Sequence, residues 1–300
     1  MIQPIENISA PNLSSSAILI DFSISQWTGR KLDKRASEEV ETTNNVQAVG
    51  VANVHKRIMG KCPELDAIHK FVGNLRNRHY AMTLPWSDQG LRIVTTMGLD
   101  KYTKAMTEGQ QEFEKLVNNF MQVYATRIQE AEVTLADLFV RDDYPTIEQM
   151  QSKFGWRLNF IPVQESGDFR VDIGNEQAEV LKEQYTKYYD LQYTNAMKDL
   201  WDRLYKPLAR MSERLDYPED ADKDTKKVFT KTLVSNVTEV LDLLKAFNVN
   251  NDRDMEMAHK KLRHALNGVT PEALREDDHL RLDTKRTVDE VIKNLPSIGI

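Results

Sequence analysis

Three hundred residues, 40% apolar and 29% charged, with a formal charge of −6, suit a soluble, helix-rich protein of one or two domains. The acidic balance argues against nucleic-acid binding over the whole surface and leaves room only for a local basic patch. The single Cys62 cannot form an internal disulfide, which points to a reducing, cytoplasmic compartment. No run of about 18 apolar residues is available to span a membrane. The N-terminus does not read as a signal peptide, because its apolar run at 17–22 is interrupted by Asp21.

Residues 1–16 are rich in Asn, Ser and Pro and read as a flexible arm. The next segment, 17–97, opens with Ile18, Ile20, Phe22 and Ile24 in partial alternation, the pattern of a strand. Lys31 to Val40 has the composition of a short charged helix, and Pro63 starts a firmer one that runs to Tyr80. Thr83-Leu84-Pro85-Trp86 must be extended, since Pro restricts the residue before it. Ser87-Asp88-Gln89-Gly90 is turn chemistry.

The chain is organised around 98–216. Leu99, Tyr102, Met106, Phe113, Leu116, Phe120, Tyr124, Ile128, Ala131, Leu135 and Leu138 recur at steps of mostly three and four, one face of a long helix. About 40 residues at ~1.5 Å each make a rod of roughly 60 Å. A second long helix carries Leu181, Tyr185, Tyr188, Tyr193, Met197, Leu200, Leu204, Leu208, Met211 and Leu215, with Pro207 expected to kink it. Between them, Trp156–Val163 and Asp168–Ile173 have the look of a β-hairpin turning at Gly167. The fold class that follows is mainly α with a small antiparallel β element, its centre a long, coiled-coil-like helical hairpin. In the last segment, 217–300, Thr225–Phe247 and Met255–Leu266 are amphipathic, Thr270-Pro271 is a helix start, and Thr287–Asn294 is a final short helix.

Catalytic signatures are few. Asp21-x-Ser23-x-Ser25 at the end of an apolar strand has the spacing that gives Mg²⁺ one carboxylate and two hydroxyls, all hard oxygen ligands. That arrangement needs a parallel βαβ sheet around it, and this chain turns helical instead. The plainer reading has the three side chains on one face of the strand. Cys62 and His69 lie seven positions apart across Pro63, which keeps them from acting as a nucleophile–base pair. The six His show no zinc spacing, and no phosphate-binding glycine loop is present. No cofactor and no catalytic residue are expected.

The most suggestive chemistry is basic and aromatic. Trp27, Arg30, Lys31, Lys34 and Arg35 form one group, His55, Lys56 and Arg57 a second, and Arg76, Arg78, His79, Tyr80 and Trp86 a third. Between Trp27 and Tyr80 ten Lys and Arg stand against six Asp and Glu, so a basic patch is concentrated there. Single strands are held by cations on phosphates and aromatic rings stacked on bases. The competing reading has the charges solvated and the tryptophans plugging the core.

Three stretches carry a resemblance: Ile24-Ser25-Gln26-Trp27-Thr28-Gly29-Arg30-Lys31, Thr83-Leu84-Pro85-Trp86-Ser87-Asp88, and Asp143-Tyr144-Pro145 leading to Gly167-Asp168-Phe169-Arg170-Val171. Together they resemble a family of bacteriophage and bacterial proteins of unknown function, some of them encoded beside MoxR-type AAA+ ATPases. The resemblance covers roughly 17–173 and transfers no catalytic residue. It implies a phage-type cytoplasmic protein, and long amphipathic rods with few convergent polar groups suit one that is not an enzyme and works through protein contacts, by self-assembly or with an AAA+ ATPase partner. Single-stranded DNA binding or annealing through Trp27, Arg30, Lys31, Arg35, Lys56, Arg57, Arg76, Arg78 and Trp86 is the alternative.

Overall fold

In a computed structural model of the chain, the structure describes residues 13–48, 50–163, 175–218, 232–249 and 251–295. The backbone is 69% helical with one antiparallel sheet of four strands, so the mainly α class with a small β element holds. Elements follow in the order α1 (Leu13–Ser16), β1 (Ala17–Ser25), β2 (Arg30–Leu32), α2 (Lys34–Thr43), β3 (His55–Arg57), α3 (Pro63–Met82), β4 (Leu84–Pro85), β5 (Arg92–Thr95) and α4 (Thr96–Leu135). After them come α5 (Ile147–Gln151), β6 (Gly155–Pro162), α6 (Asn175–Leu215), α7 (Thr232–Phe247), α8 (Arg253–Ala265), α9 (Pro271–Glu276) and α10 (Asp278–Asn294).

The chain divides into two compact units that interleave in sequence. One comprises 1–21, 79–102 and 159–300, the other 22–78 and 103–158. This cuts across the consecutive segments expected from the sequence, because β1, α3, α4 and β6 each contribute residues to both units.

In the first unit, β5 pairs antiparallel with β1, Ala17 opposite Thr95, and with β4, Leu84 opposite Ile93. The full sheet order is β4-β5-β1-β6. The second strand of the expected β-hairpin, at 168–173, lies outside the described residues. Helix α6 packs on α7, α10 and β4. Its Met197, Leu200, Leu204, Leu208 and Met211 are buried in a core shared with Leu241, Leu244, Leu262 and Val288. No α4 residue belongs to that core, so the expected helical hairpin of α4 with α6 finds no support in it. Helix α6 also continues through Pro207. Where it ends, Arg281 is fully buried and donates to the carbonyls of Leu215 and Tyr217, both at 2.8 Å. Its charge is met by Asp278 at 3.0 Å and by the Tyr217 ring, 3.9 Å from the guanidinium carbon.

Helix α3 runs antiparallel to α4. In the second unit Glu64 pairs with Arg127 at 2.7 Å, and a Cβ on Gly109 would lie 2.8 Å from Leu75. In the first, His79 meets Tyr102. The three meetings run in opposite sense along the two helices. Gly109 lets α3 approach, and the apolar stripe of α4 (Met106, Phe113, Phe120, Tyr124, Ile128) is buried, as the sequence periodicity requires.

Helix starts obey local chemistry. Asp33, Thr146, Asp252, Thr270 and Asp277 all cap with their side chains, and Thr146 with Gln149 forms a reciprocal capping box. The cap at Asp277 is why α10 begins nine residues before the expected Thr287.

Candidate functional site

The described residues of the motifs that carry the resemblance are largely packed within the two units, and the stretch 167–171 lies outside the described residues. In the second unit Trp27 is half-buried, its ring 6.2 Å from Phe120 and 6.1 Å, edge on, from Tyr124. Its carbonyl oxygen meets His69 Nε2 at 2.8 Å. Gly29 turns the chain with φ +62, and its carbonyl accepts from Ile58 N. Tyr144 donates to the Ile58 carbonyl, and Pro145 O accepts from Tyr124 at 2.9 Å. These groups lock the β2–β3 ribbon onto the end of α4, where tying down a loop satisfies buried backbone groups.

Cys62 and His69 go to different partners. The thiol is buried and lies 3.5 Å from Glu64, and burial raises its pKa. A buried, protonated thiol is a poor nucleophile. Asp21, Ser23 and Ser25 do alternate onto one face of β1. Asp21 accepts from Asn159 Nδ2 at 3.3 Å, and Ser25 Oγ sits against Gly155, 2.7 Å from where a Cβ would be. Among the described residues no group of three His, Cys, Asp or Glu could hold a metal ion.

The basic and aromatic set is divided. Trp86, in the first unit, is 2% exposed and packs edge-on against Tyr189 at 5.4 Å, so its ring offers no face to a base; its place in the nucleic-acid set is corrected. His79 is buried, and burial, helped by Arg92, depresses its pKa to about 4. It is therefore a neutral core group at pH 7 and not part of a basic patch. In the second unit Lys31 and Lys56 both reach Asp143, at 3.7 and 2.9 Å, and Lys56 also donates to the Leu138 carbonyl. Arg35 pairs with Glu39 and Arg57 with Asp66. Arg76 donates to the Ile24 carbonyl at 2.8 Å. Arg30, Lys34 and Arg78 stay exposed, and no carboxylate pairs with them among the described residues. Most of the local excess of cations is thus already met by protein oxygens.

Two features escaped the sequence reading. One is a corner in the first unit where Arg92, from β5, and Arg203, from α6, meet on Thr83. The guanidinium of Arg92 donates from Nε to Thr83 Oγ1 at 2.6 Å and from Nη2 to Thr83 O at 2.8 Å. Arg203 donates from Nη1 to the carbonyls of Tyr80 and Thr83, at 2.6 and 3.2 Å. Nothing in the spacing of Thr83, Arg92 and Arg203 announces this; only the β4–β5 pairing, Pro85 opposite Arg92, brings the first two together.

The other feature is the N-terminal half of α6. Val180, Leu181, Tyr188 and Leu191 are all exposed, Val180 and Leu191 by more than half. At about 100° per residue the four fall within an arc of roughly 100°. The rim toward Glu183 and Lys187 is neutralised internally, since those two pair at 2.7 Å. On the opposite rim stands Tyr185, stacked on Tyr189 at 5.1 Å. Of the four, the sequence reading placed Leu181 and Tyr188 on a seam with α4 and passed over Val180 and Leu191.

Among the described residues no helix is long and apolar enough to cross a membrane. In comparisons with known proteins, no family model, no curated protein and no solved structure matches the chain.

Proposed function

We propose that this is a non-enzymatic protein that works through protein–protein contacts, and that the contact its own surface supports is self-association along the N-terminal half of α6. The observation that carries this reading is the exposed stripe Val180, Leu181, Tyr188 and Leu191. A helix face of that kind loses free energy when covered, about 1.5–3 kcal/mol for each large apolar side chain fully buried. With one rim neutralised and the other aromatic, the face selects no strongly charged partner. An identical face is apolar in the same places, which suits an isologous pair. Three turns of helix bury much less than the roughly 1,600 Å² of a standard interface, so the association is weak and concentration-dependent.

Sedimentation equilibrium over a concentration series tests this. The wild type should show a reversible monomer–dimer transition, and Leu181→Glu with Leu191→Glu should remain monomeric with an unchanged circular dichroism spectrum. A wild type that is monomeric throughout would overturn self-association. A phage-type setting and an AAA+ ATPase partner are the finer readings that the resemblance supports. An ATPase partner would be an apolar occupant of the same stripe, revealed if the double variant lost that binding instead. The single-strand reading now draws on Arg30, Lys34 and Arg78.

A further inference from the structure

The geometry points to an anion-binding site at the Thr83 corner of the first unit, built by Arg92 and Arg203 beside Tyr80 and suited to a phosphate group. Both guanidinium groups touch the same oxygen, Thr83 O, at 2.8 and 3.2 Å. That shared acceptor holds two cations within roughly 6 Å of each other, close enough to repel unless the local charge is balanced. Asp199 supplies one negative charge, 2.7 Å from Arg203 Nε. The last carbonyls of α3 supply a further half charge or so, as the C-terminus of any helix does. The corner is left with a positive excess that no other described carboxylate pairs with.

The donors are unspent as well as the charge. Arg92 donates from Nε and Nη2 and Arg203 from Nη1, while Arg203 Nε is in ion-pair contact with Asp199. Among the described residues Arg92 Nη1 and Arg203 Nη2 take no acceptor. Arg203 keeps a quarter of its side chain in solvent and Arg92 is half-buried, so neither side chain is sealed from solvent. The ring of Tyr80, 49% exposed, lies 4.9 Å from the Arg92 guanidinium carbon and walls one side. Two forks fixed by backbone carbonyls present several N–H groups at once, which matches the three oxygens of a phosphate better than the two of a carboxylate. The depressed pKa of Arg92, about 10, has desolvation as its first cause and Arg203 as its second, which agrees with a cation pair short of counter-charge.

The test uses the full chain and inorganic phosphate, with the Arg Nε resonances followed by ¹⁵N NMR at constant ionic strength in a chloride background. We expect saturable shifts confined to Arg92 and Arg203, with an affinity on the order of 1 mM. Arg203→Lys should bind about tenfold more weakly, the loss of one charge-assisted bond. A nucleoside monophosphate in a parallel arm distinguishes free phosphate from an esterified one: tighter binding of the ester assigns the site to a phosphorylated small molecule. The wild-type shifts do not depend on any variant folding. Absence of saturable shifts at Arg92 and Arg203 with either ligand would overturn the proposal and leave the two arginines as caps on the C-terminus of α3.

Discussion

The two halves of α6 are written in the same style and end in opposite environments. From Tyr193 to Leu215 most apolar positions, Met197, Leu200, Leu204 and Leu208 among them, are buried in the core that α6 shares with α7 and α10, whereas Val180, Leu181, Tyr188 and Leu191 stand in solvent. Periodicity states that a helix face is to be covered. It does not state by what, and among the described residues only the packed half finds its cover. The exposed half is where an interaction protein would keep its binding energy.

The largest difference between the halves should appear in stability. Leu200 is fully buried in the α6–α7–α10 core, so Leu200→Ala should cost about 2–5 kcal/mol in urea unfolding. Leu191→Ala, by the same measurement at a concentration where the chain is monomeric, should fall within about 0.5 kcal/mol of wild type. Similar losses at both positions would break the comparison.

Acid should separate folding from association. The imidazole of His79 is buried against Tyr102, with a folded pKa of about 4 against 6.5 for the free side chain. The unfolded chain therefore takes up the proton first. Stability from this group is complete above about pH 6.5 and is lost progressively toward pH 4, by up to about 3 kcal/mol. His79→Gln should flatten that part of the pH–stability curve. Self-association should not follow it, since Val180, Leu181 and Leu191 carry no titratable group. An acid-induced loss of dimer while the chain stays folded would count against the stripe.

What the sequence made legible was local. The Thr270 cap, the α4 stripe, the strand that opens at Ala17 and the turn before Gly90 were read from adjacent residues, whose chemistry decides them. The partners were not legible, because α3 and α4 meet through Gly109 and a Glu64–Arg127 pair that no periodicity distinguishes from surface residues. Trp27 and Trp86 carried the same ambiguity, as an indole beside arginines serves a core and a base equally well, and burial assigns Trp86 to the core. Arg92 and Arg203 are 111 positions apart, and only the fold sets them on one carbonyl.

A smaller effect belongs to the second unit. The backbone of Gly29 is left-handed, with φ +62, and a Cβ there would lie 2.8 Å from Leu65. Gly29→Ala should destabilise the chain by about 1–2 kcal/mol, measured by thermal unfolding. The monomer–dimer equilibrium should stay where it was. A change in that equilibrium would show that the second unit takes part in association.

The most direct measurement is hydrogen exchange along α6 at two protein concentrations, one well below and one well above the dimer transition. Amides from 177 to 191 should gain protection at the higher concentration, while those from 193 to 215, already covered by α7 and α10, should exchange at the same rate in both. Identical exchange of 177–191 at both concentrations would contradict self-association through this face.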